Sequence, residues 1–250
     1  MKISIVTATY NSESFINDCL DSIRLQNYKN IEHIIVDGAS ADKTLTLLNI
    51  RRDQINILIS EKDKGVYDAM NKGIDLAQGD IVGFLNSDDI YANKNVLSKV
   101  ANLFTNNPML YADLIYTKKY DISQKIRYWK SNKYKVGLFS KGWSPPHPTF
   151  FVRRAVYEKL GKFDLSYKIS SDVELMFRFI EIHKINTQYI PEVWVKMRMG
   201  GTTNVKLKNI WLQNKEIFHS INKNGLSANS WKFFIYKIIS RTLQFLKKPQ

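Results

Sequence analysis

The run Ile81-Val82-Gly83-Phe84-Leu85 constrains this chain most tightly, because five apolar residues stop abruptly at Asn86-Ser87-Asp88-Asp89. Preceded by Gly79-Asp80, it reads as a short strand buried within a sheet. Its end carries two adjacent carboxylates. The carboxyl ends of interior strands are where open α/β sheets bind ligands. Paired carboxylates are also the hard oxygen donors that Mg²⁺ or Mn²⁺ takes when it holds a diphosphate. Alone, the pentapeptide reads more readily as a solvated Asp-Asp turn; its context reverses that reading.

Upstream, Ile3 to Thr7 reads as a strand followed by the turn Ala8-Thr9-Tyr10-Asn11. Phe15, Ile16, Cys19, Leu20 and Ile23 then recur at helical spacing, with Ser12 or Ser14 as the cap. Ile31 to Val36 is a second strand, with His33 a packed strand residue, ending in Asp37-Gly38-Ala39-Ser40-Ala41-Asp42. A helix over about 43–53, a strand over 55–60 and a helix with Val66, Ala69, Met70, Gly73, Ile74 and Ala77 inward lead to the central strand. This alternation predicts an α/β fold: a single doubly wound, mainly parallel, Rossmann-like sheet.

Beyond Asp89 the pattern changes. A helix spans about 94–105, and 109–116 and 126–129 read as an antiparallel strand pair. Residues 130–150 form an aromatic and basic loop, 154–160 a short helix closed by Gly161, and Ser171-Asp172 opens a longer helix. Gly200-Gly201-Thr202-Thr203 is a loop. Two amphipathic helices follow. In the second, Trp231, Phe234, Ile235, Ile238, Ile239, Phe245 and Leu246 oppose Lys232, Lys237, Arg241, Lys247 and Lys248. Such a helix either packs on its own domain or lies in a membrane interface.

At 250 residues and 44% apolar composition the chain can bury a large core. The single Cys19 excludes an internal disulfide and a multi-cysteine metal site, and fits a reducing compartment. No apolar stretch approaches the roughly 18 residues of a membrane span. The first residues read as a strand, not as a signal peptide. The net charge of +14 comes from 37 Lys+Arg against 23 Asp+Glu. Nucleic acid, an anionic membrane or a phosphorylated substrate would each answer it.

Three turns, at Thr9-Asn11, Asp37-Asp42 and Asp88-Asp89, converge on one edge of a parallel sheet. Neither common Gly-rich phosphate loop is present, which disfavours a dinucleotide or ATP site. Four segments in order then resemble the family 2 glycosyltransferases: 7–11, 36–44, 60–73 and 85–89. The resemblance spans residues 3 to about 203 and is nearest to bacterial enzymes of surface-polysaccharide biosynthesis.

The resemblance implies the type A glycosyltransferase fold, with a glycosyltransferase domain over 1–205 and an amphipathic helical extension over 206–250. Within the domain, 1–90 would be the nucleotide-binding half and 91–205 the acceptor-binding half. It implies an inverting, metal-dependent hexosyltransferase. Donor and acceptor would be a nucleotide-sugar, UDP-linked by the family's habit, and a lipid-diphosphate-linked saccharide of O-antigen, capsule or exopolysaccharide synthesis. Asp37 would bind the base, with Thr9 and Asn11 beside it; Asp63 and Asn71 would frame the nucleotide-sugar. Asp88 would face the ribose or share the metal site, and Asp89 would hold Mn²⁺ or Mg²⁺. The family's base matches Asp172, although Ser171 stands where the family has a second acid. Asp172 is otherwise an N-terminal cap, and Asp164 and Glu174 are lesser candidates for the base. His147 matches a histidine on the acceptor side, or is a structural loop residue; Arg198 would add positive charge near the diphosphate. The basic excess then suits a cytoplasmic protein lying peripherally on the anionic inner face of the membrane.

Two rivals make different demands. A nucleotidyltransferase needs a Gly-rich, Lys-containing turn after the first strand, which Ala8-Thr9-Tyr10-Asn11 lacks. A non-catalytic nucleic-acid-binding protein leaves the strand-end carboxylates unexplained, since they repel phosphates unless metal-filled. No nucleic-acid partner is therefore expected.

Overall fold

The computed structural model describes residues 1–105, 107–200, 207–226 and 229–246. Gly201-Thr202-Thr203, Lys247, Lys248 and the side chains of Leu207 and Leu246 lie outside the described residues. The first half follows the expected alternation. Strands β1 (Ile3–Thr9), β2 (Ile31–Asp37), β3 (Ile57–Ser60) and β4 (Ile81–Phe84) are separated by helices α1 (Ile16–Arg24), α2 (Thr44–Ile50) and α3 (Val66–Leu76). These four strands pair in parallel in the order β3-β2-β1-β4. Neither Ser12 nor Ser14 caps α1; the Ser12 hydroxyl instead meets Ser87 Oγ at 2.7 Å, joining the turns after β1 and β4.

The second half adds β5 (Ile90–Tyr91), α4 (Val96–Leu103), β6 (Met109–Thr117), β7 (Lys125–Trp129), β8 (Phe151–Arg153), α5 (Arg154–Leu160), α6 (Ser171–Phe177) and β9 (Thr187–Arg198). The sheet continues past β4 through β8, β6, β9 and β5, with β7 paired on β6. The long β6–β9 pairing is parallel, whereas β5, β7 and β8 run antiparallel to their neighbours. Strand β9 contains Pro191, which cannot donate to a ladder. The register steps from Ala112↔Ile190 to Asp113↔Val193, so Pro191 and Glu192 lie in the irregularity.

Helices cover both faces. Val6, Val36 and Phe84 pack under Met70, Ile74, Leu175 and Phe179 on one side. Ile3, Ile5 and Leu85 pack under Cys19, Val100 and Trp194 on the other. Burial from both sides explains the uninterrupted apolar run of β4. Cys19 is a free, buried core thiol, as its helical spacing suggested. The chain closes with α7 (Leu207–Lys223) and α8 (Ser230–Leu246). Among the described residues no helix is long and apolar enough to cross a membrane.

His33 is a packed strand residue whose Nε2 meets Thr7 Oγ1 at 3.0 Å, and burial drives its pKa from 6.5 down to about 3. The fold therefore keeps His33 neutral while the unfolded chain protonates it. Its contribution is fully present above pH 6.5 and drains away as the pH falls towards 3. At 1.36 kcal/mol per pH unit, it removes roughly 2 kcal/mol at pH 5. Urea unfolding at pH 7 and pH 5 should show this loss, and His33→Gln should flatten the slope. An unchanged slope in the variant would locate the titration elsewhere.

Candidate active site

Parallel pairing brings the turns together. Thr9 lies opposite Asp37, and Asp37 opposite Ser60, along one edge of the sheet. Asn11 adopts positive φ, its backbone N–H donates to Ser40 Oγ (2.9 Å) and its Oδ1 accepts from the Ala41 N–H (2.9 Å). The first two turns are thus stitched to each other. Asp37 is fully buried, and its carboxylate accepts from Ser40 N–H (3.1 Å), the Ser40 hydroxyl and the Ser60 hydroxyl (2.7 Å). Its oxygens are committed to shaping the turn before any base arrives. Gly38 is a position of close approach: a Cβ there would come within 2.5 Å of Asp63 Oδ2 and 3.4 Å of the Tyr10 ring. Tyr10 is 63% exposed. The Asp63 carboxylate thus packs directly on the Gly38 backbone beside the exposed Tyr10 ring, an approach that any side chain at Gly38 would block.

The turn after β4 carries the charge. Asp89 is completely buried; its Oδ2 accepts from Asn86 Nδ2 at 2.8 Å, and its Oδ1 has no hydrogen-bond partner. Burial, and secondarily the adjacent Asp88, push the Asp89 carboxyl well above the usual range. Burial also raises Asp88, with Arg198 and Lys119 opposing the shift. A buried carboxylate oxygen without a donor is expensive. A divalent cation would satisfy it and relieve the repulsion between the two carboxylates. Among the described residues no three His, Cys, Asp or Glu side chains form a metal cluster. Two carboxylates do fit Mg²⁺ or Mn²⁺ held jointly with substrate phosphates.

Arg198 reaches this turn differently from expectation. It is 5% exposed, and donates to Asp88 O (2.7 Å), Lys119 O (3.0 Å) and the Asp18 carboxylate, with the Phe15 ring 4.8 Å away. It braces the Asp88 backbone from behind, tying β9 to α1. Thr9 Oγ1 is buried at the same edge without a partner.

A second wall comes from residues far along the chain. Asp172 sits in the first turn of α6, and Tyr67 of α3 lies with its hydroxyl 2.9 Å from Asp172 Oδ1 and 2.7 Å from Ile169 O. Glu216 of α7 gathers the backbone N–H groups of Lys168, Ile169 and Ser170 at 2.9–3.0 Å, fixing the approach to α6. The competing acids are engaged. Glu174 is buried against Arg178 (2.9 Å), and Asp164 holds Ser166 N–H (2.9 Å) and Lys223 (3.2 Å). Asn71 exchanges two 2.9 Å hydrogen bonds with the Phe163 backbone and so holds that loop. His147 is buried between Phe84 and Phe163, at 5.2 and 5.6 Å between ring centres, with Nε2 unpartnered. Burial lowers its pKa, against the pull of Asp172, so the imidazole is neutral.

A cavity of about 470 Å³ lies away from these turns, beside Asn107, Lys133, Lys184 and Tyr189. It has no share in the strand-end cluster.

The architecture is shared with solved structures. Staphylococcus aureus TarS 1–349 in complex with UDP-GlcNAc superposes with a TM-score of 0.70 at 19% identity, over 96% of this chain and 73% of that one. The mannosyltransferase PcManGT from Pyrobaculum calidifontis, in complex with GDP-Man and Mn²⁺, gives 0.60 at 17% identity, over 99% and 81%. In sequence, a Mycobacterium bovis PGL/p-HBAD biosynthesis glycosyltransferase is 31% identical over 205 residues, covering 80% of this chain and 78% of its own. A Rickettsia typhi glycosyltransferase is 32% identical over 222 residues, covering 83% and 68%. The family described as "Glycosyl transferase family 2" matches residues 4–161, a span that takes in every strand-end turn of the parallel half. With the strand-end cluster inside that match and the type A glycosyltransferase fold around it, the chain belongs to glycosyl transferase family 2.

Proposed function

We propose that this protein moves a hexose from a UDP-sugar to a hydroxyl of a lipid-diphosphate-linked saccharide, with inversion, at the inner face of an anionic membrane. The observation that carries the reading is the buried, partnerless Oδ1 of Asp89 beside Asp88 at the end of β4. Bound there with the donor's phosphates, Mn²⁺ or Mg²⁺ would stabilise the charge that develops as the nucleoside diphosphate departs. The neighbours crystallised with UDP-GlcNAc, and with GDP-Man and Mn²⁺, support a nucleotide-sugar in the same fold.

The residues divide the work. Asp63, packed on Gly38, and the exposed Tyr10 ring receive the base; Asp37 and Asn11 keep that turn in shape, and Thr9 offers a buried hydroxyl beside them. Arg198 fixes the Asp88 backbone. Asp172 takes the acceptor proton as the acceptor oxygen bonds to the anomeric carbon and the bond to the diphosphate breaks. His147, neutral and with a free Nε2, lines the acceptor side. No enzyme-bound sugar intermediate is needed.

Isothermal titration with UDP, in the presence and absence of Mn²⁺, tests the donor half directly. Metal-dependent UDP binding is expected, with GDP weaker. Binding of no nucleoside diphosphate under any metal condition would end this reading.

A further inference from the structure

Helix α8 packs the wrong way round for a soluble protein. Its apolar stripe was expected either against the domain or in a membrane; the structure turns it outward. Trp231 is 79% exposed, Ile238 64%, and Phe234, Ile235, Ile239 and Phe245 between 40% and 56%. The inward stripe holds the polar residues. Lys237 Nζ donates to Asn214 Oδ1 at 2.6 Å, Arg241 reaches Gln213 Oε1 at 3.4 Å, and Gln244 is buried. Phe233 is the apolar anchor, 4.6 Å from the Phe218 ring and against Gly142. Burial drags the Lys237 pKa down to about 7. Sinking a lysine while exposing six large apolar side chains runs against the hydrophobic effect unless the outer face is also covered.

We infer that the outward face of α8 is a docking surface for an anionic lipid bilayer, lying in the plane of its interface. Charge decides the occupant. The helix contains no acidic residue, exposed Lys232 borders the apolar stripe, and Lys247-Lys248 follow it in a chain of net charge +14. Basic residues beside an apolar stripe are drawn to an anionic surface. Twofold pairing with a second copy would set α8 against α8, with no carboxylate on either helix to answer Lys232 at the border of the stripe. Trp231 at the helix start suits the headgroup region, where tryptophan concentrates. The helix also packs along β7 and the 139–141 turn, in the half expected to receive the acceptor. The inference rests on the lipid-linked acceptor proposed above and adds the surface by which it is reached.

The test is flotation of the full chain with vesicles of phosphatidylcholine and phosphatidylglycerol, against phosphatidylcholine alone. The double variant Ile235→Glu/Ile238→Glu is run beside it, with light scattering and UDP titration in parallel. Both substitutions lie on exposed positions, so the fold should tolerate them. The native chain should partition onto the anionic vesicles at least tenfold more than onto neutral ones, and at least tenfold more than the variant. Both proteins should stay monomeric and bind UDP equally. Equal flotation of variant and native chain would overturn the inference, as would a dimer that the variant dissolves. Vesicle binding that persists without any UDP binding would remove the sugar-transfer reading and leave this surface standing.

Discussion

Asp89→Asn should reduce sugar transfer by about a thousandfold while making the nucleotide-free protein more stable. The two effects share one cause. The Asp89 side chain is wholly buried, with Oδ2 accepting from Asn86 Nδ2 and Oδ1 making no hydrogen bond. In the absence of metal, the fold must either hold that charge beside Asp88 or protonate it. An asparagine keeps the shape, keeps an acceptor for Asn86 and removes the charge. Removal of a buried charge that lacks full hydrogen bonding is worth on the order of 1–3 kcal/mol. For a chain of this size each kcal/mol raises the melting temperature by about 2–4 °C. UDP with Mn²⁺ should then reverse the ranking: ligand binding stabilises the native protein by mass action, and the variant should gain nothing. Calorimetric melting with and without UDP and Mn²⁺ makes the comparison. A variant that melts lower than the native chain, or still shows metal-dependent stabilisation by UDP, would mean that Asp89 is not the residue that needs the cation.

The parallel half was legible because its physics is local. β1, β2 and β4 are buried on both faces, so each is rich in apolar residues, and each ends in turn residues that converge once the strands are parallel. β9 escaped notice because Pro191 interrupts it; only a bulge against Asp113 lets the strand continue. β5 and β8, of two and three residues, are too short to show a period. The site divides in the same manner. Asp88 and Asp89 could be read from sequence, whereas the partners that give Arg198 and Asn71 their jobs could not. Arg198 meets Asp18 across 180 residues, and Asn71 meets Phe163 across 92. The buried Asp113, which accepts from Tyr189 (2.8 Å), the Ser131 N–H (2.7 Å) and Tyr128, anchors the start of the aromatic loop and has no local signature. The two stripes of α8 were plain from their spacing. Which one faces the domain depends on Asn214, Gln213 and Gly142 beneath it, and no periodicity reports that.

Asp172→Asn should lower kcat by about a thousandfold, in the range set by loss of a general base, with UDP affinity unchanged. The more informative substitution is Tyr67→Phe. The Tyr67 hydroxyl has one proton and two acceptors within reach, Asp172 Oδ1 at 2.9 Å and Ile169 O at 2.7 Å. While Asp172 is ionised, that proton can point at the carboxylate and hold it in place. Once Asp172 has taken the acceptor's proton it becomes a donor, and Tyr67 can accept from it by turning its own proton to Ile169 O. Tyr67 would thus satisfy the base before and after transfer without any heavy atom moving. It is a positioning residue, and Glu216 supports it by fixing the 168–170 backbone on which Ile169 sits. A hydrogen bond to a charged group is worth about 1.5–3 kcal/mol, so Tyr67→Phe should lower kcat by roughly tenfold to a hundredfold. A merely structural tyrosine would disturb nucleotide binding or melting as well; here both should stay near native values. The double variant decides between the two. If Tyr67 acts only through Asp172, Tyr67→Phe should cost nothing further once Asp172→Asn is in place. Additive losses would show that Tyr67 serves the reaction by a separate route and that the 2.9 Å contact is incidental to catalysis.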